Sequence, residues 1–398
     1  MKSITIQSKL TMTWLLSYIS IASVSAAMIT PALPRIEQTF ALNTGTVEWV
    51  ISTFLIGYVI GQLIYAPLAN VYGRLNALKW GLNINILGLL LCLYASRSPH
   101  YSLLLLGRLI TGLGSAAGLT CTFMLINEWL PEDQRKTAMA YSILSFALGI
   151  GFAVLIGGMM TQYLQWQGCF IFLLLQGLLM RLGIRVFHET LTQPKSFHIP
   201  SLLRDYKQAL GSFKLITFAS IWGACSAVGY CYSAAAPQIA HSYLNLSASA
   251  YGYWNTLNIV GMLLGGLSAR LLMQRFSVMH VITLGYVGST LALLSLGTML
   301  YWSPQSVLWF FGSTSLLYCC SSYLFAGGSY IASNAIEDRA SASSMMSFIN
   351  MGIAAISVMI MGYLSVNPFY GFLGMLSGIF LTTFILFRVN KGINADAS

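Results

Sequence analysis

One arginine lies well inside a long apolar run of this chain. Arg108 is about seven residues from the start of an apolar segment over positions 101–127, which is roughly 10 Å along a helix at 1.5 Å per residue. If the segment crosses a bilayer, a charge at that depth costs at least about 2.5 kcal/mol and requires a partner. Either Arg108 binds an anionic group such as a carboxylate, which suits its planar fork, or it bonds water or backbone carbonyls of a neighbouring helix.

Acidic side chains are scarce and peripheral in the sequence. The ten Asp and Glu residues and the five His residues fall at the ends of apolar segments, in the gaps between them or in the C-terminal tail. We therefore predict no carboxylate at mid-membrane depth, where membrane proteins commonly place their proton-binding groups. Either a proton-dependent process uses Glu37, Glu48 or Glu128 in an unexpected position, or a proton on a mid-membrane acid is not the driving force.

The sequence lacks the motifs of a membrane enzyme. His-Glu-x-x-His, Gly-x-Ser-x-Gly and a phosphate loop are absent, and the seven cysteines form no paired zinc motif. We predict neither a metal nor a cofactor. Gly112, Gly114 and Gly118 superficially resemble a dinucleotide loop, but they lie inside an apolar segment with no preceding strand. Small residues at this spacing favour close packing of membrane helices.

The composition places these residues in lipid. Hydrophobic residues make up 57% of the chain, charged residues make up 8%, and the mean hydropathy is +0.73, whereas soluble domains are about a quarter charged. The net charge of +10 comes from Lys and Arg in short gaps between apolar runs, without the basic stripe or the motifs of a nucleic-acid-binding protein. We therefore predict a multi-pass membrane protein that contacts a lipid bilayer and no nucleic acid.

Segments of about 20 mostly apolar residues are long enough to cross a bilayer as helices. We predict an all-α membrane protein with twelve transmembrane helices, near 12–34, 47–69, 76–96, 101–127, 136–163, 168–187, 214–236, 250–273, 279–301, 305–331, 342–364 and 369–388. Strands of a barrel would be about ten residues long and would alternate in polarity. With the N-terminus inside, only Arg35 and Arg97 fall on the outer side, so the positive-inside rule places both termini in the cytoplasm.

The twelve segments divide into two similar halves. Small residues recur at matching positions of the second and eighth segments, as Gly61, Ala66 and Ala69 and then as Gly261, Gly266 and Ala269. The longest polar gap separates the sixth and seventh segments. We predict an N-terminal six-helix bundle over 1–187, a cytoplasmic linker over 188–213 and a C-terminal six-helix bundle over 214–398. Two such pseudo-symmetric repeats with a ligand site between them are typical of transporters.

Several motifs, in order along the chain, resemble those of the major facilitator superfamily and, within it, the Bcr/CflA-like drug-resistance branch. They are Pro31–Pro34, the signature loop Gly61–Arg74, the arginine motif Leu104–Gly114, the segment Glu128–Arg135 and Glu189-Thr190-Leu191. The resemblance covers nearly the whole chain. It implies two bundles that alternate in access, a small-molecule substrate, a cytoplasmic (inner) membrane location and a monomer.

Three positions depart from the pattern of that family. Ala27 stands where relatives usually have an acidic residue in the first helix, and Asn70 stands where the signature loop normally has Asp. Ala153-Val154 replaces the usual Gly-Pro pair of the fifth-helix antiporter motif. In the family these positions take part in gating or proton coupling. Their replacement in this chain therefore argues against drug–proton antiport.

The resemblance also assigns roles to polar and aromatic residues inside the segments. Helices one, four, seven and ten line the cavity in this superfamily, and helices two, eight and eleven can contribute to it. The candidate substrate-binding residues are Arg108, Met28, Thr30, Tyr58, Gln62, Thr111, Tyr230, Tyr232, Asn255, Asn258, Tyr318, Tyr323 and Asn350. The candidate gating residues are Asn70, Gly73, Arg74, Glu128 and Arg135. For any one of the tyrosines and amides, helix packing is the alternative role.

Three hypotheses for function remain at this stage. The family implies a secondary transporter of the drug or metabolite efflux type. The departures and the position of Arg108 instead favour an importer or facilitator of an anionic organic solute, for example a carboxylate siderophore. A sensor with a transporter-like fold is the third hypothesis, and saturable flux of a labelled solute would distinguish a transporter from it.

Overall fold

The computed structural model describes residues 9–43, 46–97, 100–129, 149–191, 199–336, 339–364 and 367–396. All the regular secondary structure in these ranges is helical. Ten helical segments within them are long and apolar enough to cross a membrane, and they match ten of the twelve predicted spans. The prediction of an all-α membrane protein is therefore confirmed.

The first compact unit comprises Met1–Ala41 and Thr53–Phe197. Its helices are α1 (Lys9–Ser17), α2 (Ser20–Ala27), α3 (Leu33–Thr39), most of α4 (Trp49–Tyr72), α5 (Arg74–Ala95), α6 (Tyr101–Trp129), α7 (Gly149–Leu164) and α8 (Gln167–Gly183). Helix α5 packs along α6 and α8, and α2 packs on α6. The beginning of the predicted fifth span, 136–148, lies outside the described residues.

The first predicted span, 12–34, consists of short helices rather than one long helix. Helix α1 ends at Ser17, α2 ends at Ala27, and a 3₁₀ turn over Thr30–Ala32 leads into α3. Pro31 and Pro34 lack the backbone N–H that an unbroken helix would need. Hydroxyl groups bond the backbone carbonyls near these breaks: Ser20 Oγ donates to Ser17 O at 2.8 Å, and Thr30 Oγ1 donates to Ala27 O at 2.9 Å.

The second compact unit comprises Leu42–Ser52 and His198–Ser398. Its helices are α9 (Ile199–Leu210), α10 (Phe213–Ser242), α11 (Ala248–Trp254), α12 (Thr256–Arg275), α13 (Val278–Trp302), α14 (Val307–Ser333), α15 (Arg339–Leu364) and α16 (Pro368–Asp396). Helices α11 and α12 together form one span. Helix α10 packs against α14, α15 and α16, and α14 also packs against α12 and α13.

The polar gap between the sixth and seventh spans contains a helix. Helix α9 packs Tyr206 and Ala209 against Ala342 and Met345 of α15, while Arg204 and Lys207 on the same helix are exposed. The boundary between the compact units, at Phe197/His198, falls inside the segment predicted as a linker. Part of that segment therefore belongs to the second unit.

Glycines bring the same pair of helices together in each unit. A Cβ atom at Gly61 of α4 would meet the carbonyl oxygen of Leu113 on α6 at 2.6 Å, and one at Gly57 would collide with Leu109 O. In the second unit, a Cβ atom at Gly261 of α12 would collide with Ser315 O on α14. These contacts place Gly61 and Gly261 at equivalent positions, as their recurrence in the sequence indicates, and they explain why small residues are needed there.

Large apolar side chains cover the outer helix faces. Leu175, Leu179 and Leu182 of α8 are about three-fifths exposed, at 61%, 58% and 58%, and Leu291 and Leu294 of α13 are similarly exposed. Contiguous apolar surface of this kind is unfavourable in water and favourable in contact with hydrocarbon. The protein is therefore a multi-pass membrane protein.

Candidate functional site

The side chain of Arg108 is fully buried in the first unit, at 0% exposure. Its Nη1 donates to the backbone oxygen of Ser25 on α2 at 3.2 Å and lies 3.5 Å from Ser25 Oγ. Its Cζ lies 4.4 Å from the ring centroid of Phe54 on α4, which is a cation–π distance. The contacts described for this guanidinium are with neutral groups.

Close packing of α4 on α6 brings Phe54 to the guanidinium. Gly112 lies against the carbonyl of Phe54 so closely that a Cβ atom at this position would collide with Phe54 O. With no side chain at Gly112, the two backbones touch one turn away from Arg108. Phe54 is not among the site residues predicted from the sequence, because nothing in the spacing shows that it meets Arg108.

Candidate residues of α4 continue the surface that begins at Phe54. Tyr58, four residues further on, stacks on Phe54 with ring centroids 6.3 Å apart and an interplanar angle of 8°. Gln62, after another turn, is 7% exposed, and its amide adjoins the Tyr58 hydroxyl. Such a buried amide can bond a ligand, because it has two donors and an acceptor to offer.

Three other candidates of the first unit make local or packing contacts. Thr111 Oγ1 donates to Gly107 O at 2.7 Å, and Thr30 Oγ1 donates to Ala27 O, so both hydroxyls bond their own helical segments. The backbone of Met28 is in contact with Gly157 of α7. For these three residues the contacts therefore favour a role in helix packing.

The second unit brings four of its candidates into one polar cluster. Asn258 Nδ2 donates to Asn255 Oδ1 at 3.0 Å, and Thr314 Oγ1 donates to Asn258 Oδ1 at 2.8 Å. The rings of Tyr232 and Tyr318 are 5.5 Å apart and nearly perpendicular. The Tyr232 hydroxyl adjoins Asn258 but makes no hydrogen bond within the described residues. Thr314, which also belongs to this cluster, is not among the residues predicted from the sequence.

Tyr323, Tyr230 and Asn350 have other surroundings. Tyr323 OH lies 3.0 Å from Ser268 Oγ, and its ring packs with Ala269 and Val281 in a separate cluster. Tyr230 precedes Tyr232 by two residues on α10 and therefore projects from a different side of that helix. Asn350 is fully buried on α15, and neither amide atom makes a hydrogen bond within the described residues.

Two of the candidate gating residues, Arg74 and Glu128, form an ion pair in the first unit. Arg74 Nη2 pairs with Glu128 Oε1 at 2.6 Å, and Arg74 Nε donates to the same oxygen at 3.0 Å. Gly73, at φ 101°, forms the turn between α4 and α5. Asn70 lies in the last turn of α4 and does not bond the start of α5. Arg135 lies outside the described residues.

The carboxylate of Glu189 accepts hydrogen bonds from the N-terminus of α5. The family pattern has an acidic residue at position 70, which is Asn70 in this chain. Glu189 Oε1 accepts from Arg74 N at 2.9 Å, and its Oε2 accepts from Leu75 N at 3.0 Å. The backbone amides of Thr190 and Leu191 also donate to Oε1. The free N–H groups and the positive dipole end of a helix both favour such a carboxylate.

Glu48 is a buried acid at the edge of a span. Its side chain is 5% exposed, and its Oε1 accepts from Gln238 Nε2 of α10 at 3.2 Å. The sequence placed it at the edge of a span, because position 48 lies next to the start of α4 at Trp49. Burial depends on the neighbouring helix, which position along the chain does not reveal.

The sequence matches a known family of membrane proteins. A sequence profile described as Major Facilitator Superfamily matches residues 15–234, more than half of the chain. The chain therefore belongs to the major facilitator superfamily. Members of this superfamily are transporters of small molecules in lipid bilayers, not enzymes.

Curated relatives of the chain are similar over part of their lengths. The MFS-type transporter oryF of Aspergillus oryzae is 30% identical over 152 residues, which are 38% of this chain and 31% of that protein. An uncharacterised transporter of Rickettsia bellii is 24% identical over 246 residues, 60% of this chain and 58% of that one. Multidrug resistance protein Stp of Mycobacterium tuberculosis is 28% identical over 147 residues, 36% and 27% respectively. The matches thus span less than two thirds of each relative.

Solved structures with the same fold cover almost the whole chain. A D-xylose–proton symporter superposes with a TM-score of 0.76 at 14% identity, over 95% of this chain and 97% of that one. An inward-facing, unoccupied bacterial homologue of the human lysosomal transporter Spinster gives a TM-score of 0.71 at 14% identity, over 96% of each chain. At this identity the likeness shows the major facilitator fold and not the substrate.

Proposed function

We propose that this transporter moves an organic solute that carries an anionic group, and that Arg108 binds this group. The observation behind the proposal is the full burial of the Arg108 guanidinium inside the first unit, where Phe54 and Ser25 position it. A planar fork in a low-dielectric environment favours a carboxylate over a neutral ligand.

An internal comparison supports a role for Arg108 beyond packing. Because Gly61 contacts Leu113 as Gly261 contacts Ser315, the position equivalent to Arg108 in the second unit is Phe310. There, Phe310 packs edge-on against Phe311, with ring centroids 5.2 Å apart, so an aromatic side chain occupies the position that Arg108 has in the first unit. The same pair of helices thus packs without a charge in one unit and with a charge in the other.

The remaining candidates suggest the chemistry of the solute body. Tyr58 and Gln62 in the first unit, and Tyr232, Asn258 and Tyr318 in the second, offer aromatic faces beside amide and hydroxyl groups. Such a combination suits a flat organic molecule with several polar substituents. We assign these residues to the solute body and Arg108 to its anionic group.

Efflux is the direction that we favour, in a transporter of the Bcr/CflA-like branch. The sequence motifs resemble that branch, and similar proteins include Multidrug resistance protein Stp and the efflux pump radE of Floropilus chiversii, which is 26% identical over 168 residues. We further expect a monomer in the cytoplasmic membrane with both termini inside.

Import is the second candidate function. It is favoured by Ala27, Asn70 and Ala153-Val154, because all three depart from the antiporter pattern together. An importer of a carboxylate siderophore would use the same Arg108 site in the opposite direction.

The charge requirement can be tested with a matched pair of probes. We expect liposomes containing the purified protein to take up a radiolabelled fluoroquinolone carboxylate with saturation. Its methyl ester should be transported at least about tenfold less efficiently, since a charge-assisted hydrogen bond contributes roughly 1.5–3 kcal/mol. Equal transport of both forms would contradict anion recognition. Binding of the acid without any flux would identify the protein as a sensor.

The direction of transport is tested in cells that lack the gene for this protein. Sensitivity to drugs with normal use of iron sources would establish efflux. Failure to grow on an iron-loaded carboxylate siderophore, with normal drug tolerance, would instead establish import.

A further inference from the structure

Helix α9 has two chemically different sides. Tyr206 and Ala209, three residues apart, pack against α15. Arg204 and Lys207, which are also three residues apart, are exposed. At about 100° of rotation per residue, the two pairs leave the helix axis in nearly opposite directions. The helix is therefore amphipathic, with one side on the protein and its cations on the other.

Helix α9 lies at the level where two membrane spans begin. Its buried Ala209 belongs to one apolar cluster with Leu215, in the first turn of α10, and Met345, near the start of α15. The apolar spans of α10 and α15 begin at Phe213 and Met345. Two residues separate the end of α9 from the start of α10. Helix α9 is therefore placed at the edge of the membrane, against the first turns of two spanning helices.

Apolar side chains beside the cations remain exposed. Leu210 is 45% exposed and Phe213 is 39% exposed. Leu210 follows Lys207 by three residues and therefore adjoins it on the helix surface. Lys214 directly follows Phe213 and is exposed as well. Such a pairing of an apolar side chain with a long cationic one suits the boundary between hydrocarbon and headgroups, where the stem lies along apolar surface and the charged end stays in the polar layer.

The charge of this segment indicates the kind of surface that it fits. Residues 199–214 contain three cations and one acid, Asp205. Amphipathic helices of low overall hydrophobicity, with cations on the polar side, typically lie in the interface plane of a membrane. Anionic headgroups attract such cations near the membrane surface, whereas zwitterionic headgroups carry no net charge. The segment is therefore complementary to an anionic lipid surface.

We propose that α9 and the start of α10 form a binding surface for the headgroups of anionic phospholipids. Arg204, Lys207 and Lys214 contact the phosphate groups, while Leu210 and Phe213 lie among the upper parts of the acyl chains. Lipid binding holds α9 against the first turns of α10 and α15. The proposal concerns neither the transported solute nor its anion site, and it is the same for efflux and for import.

Hydrogen exchange of the full-length protein in two kinds of nanodisc tests this surface. One kind contains phosphatidylcholine alone, and the other contains phosphatidylcholine with phosphatidylglycerol as a minor component. The measured quantity is the protection factor of peptides covering residues 199–212. We expect it to be about tenfold higher or more in the anionic nanodiscs, because each cation near an anionic surface contributes about fivefold. The gain should shrink at about 1 M salt, which screens these charges.

A matched pair of double variants assigns the gain to α9. The combination of Arg204→Gln and Lys207→Gln should lose most of the gain, because it removes both cations from the exposed side of the helix. The combination of Arg270→Gln and Arg275→Gln removes two exposed cations from α12 and should keep the gain. Peptides of α13 should show equal protection in the two kinds of nanodisc.

Four outcomes would overturn the proposal. The first is equal protection of residues 199–212 in both kinds of nanodisc. The second is a gain that persists without the Arg204 and Lys207 charges, which would assign it to other cations. The third is an equal gain in α13, which would reflect a general effect of the lipid on the protein. The fourth is a gain in phosphatidylcholine nanodiscs on addition of inorganic phosphate, which would indicate a site for a free anion rather than for a membrane surface.

Discussion

At the scale of single residues, Arg108 can be stable in its buried position with the contacts described for it. Insertion of an arginine at the centre of a membrane helix costs at least about 2.5 kcal/mol. A desolvated cation–π contact contributes about 2 kcal/mol or more, and a hydrogen bond to a charged group contributes roughly 1.5–3 kcal/mol. The contacts with Phe54 and Ser25 are thus comparable with the minimum cost. A solute anion would add binding energy to an arginine that is already positioned.

Replacement of Arg108 should separate charge from geometry. We expect Arg108→Lys to weaken solute binding about tenfold, because a lysine keeps the charge but lacks the planar fork that stacks on Phe54 and bonds a carboxylate bidentately. Arg108→Gln should be weaker still. The measurement is the KM for uptake into liposomes, with Arg270→Gln on the exposed face of α12 as the control. Full activity of Arg108→Lys would argue against bidentate binding of an anion.

At the scale of helices, close contact of α4 with α6 depends on Gly57. A methyl group at this position would collide with the backbone oxygen of Leu109, which cannot move without displacing α6. Gly57→Ala should therefore destabilise the protein by about 1–3 kcal/mol, the usual range for overpacking. Thermal unfolding in detergent provides the measurement.

Gly297 provides the matched control for that substitution. It lies within α13, and no atom would lie within 4 Å of a Cβ added there. Gly297→Ala should leave the unfolding temperature unchanged or slightly raised, since alanine favours a helix more than glycine does. Equal losses in the two variants would show that tight packing at Gly57 is not the cause.

Helix α5 depends on an acid that is distant in sequence. Because Glu189 accepts from the first two amides of α5, Glu189→Ala should lower stability by about 1 kcal/mol, as the loss of a helix cap does. Glu189→Gln, which retains one acceptor oxygen, should lose less. Thermal unfolding of both variants distinguishes loss of the helix cap from loss of the charge alone. Loss of the charge alone would make the two variants equally unstable.

At the scale of the whole molecule, the charge distribution predicts how the protein lies in the membrane. Lys and Arg cluster in the gaps assigned to the cytoplasm, so both termini should be inside. We expect a fluorescent protein fused after Ser398 to fold and fluoresce, and alkaline phosphatase fused after Tyr301 to be active in the periplasm of a bacterial host. The reverse pattern would refute this orientation.

The sequence by itself determined the class of protein, the positions of most spans and the family. A membrane span depends on the hydropathy of consecutive residues, which the sequence shows directly. Ten of the predicted segments accordingly match long helices. The first span was harder to predict, because its breaks depend on local hydroxyl and proline geometry as well as on hydropathy. The close helix contacts at Gly61 and Gly261 were also predictable, since the need for a small residue at a contact is visible as a repeat.

Only the tertiary structure decided which distant groups meet. Arg108 contacts Ser25, 83 residues away in the sequence, Glu48 contacts Gln238, 190 residues away, and Glu189 contacts the start of α5, 115 residues away. Nothing in hydropathy or spacing selects these partners, because helix packing sets which faces adjoin. Burial of an acid at the end of a span and the choice of Glu189 over Asn70 at the α5 N-terminus are consequences of that packing.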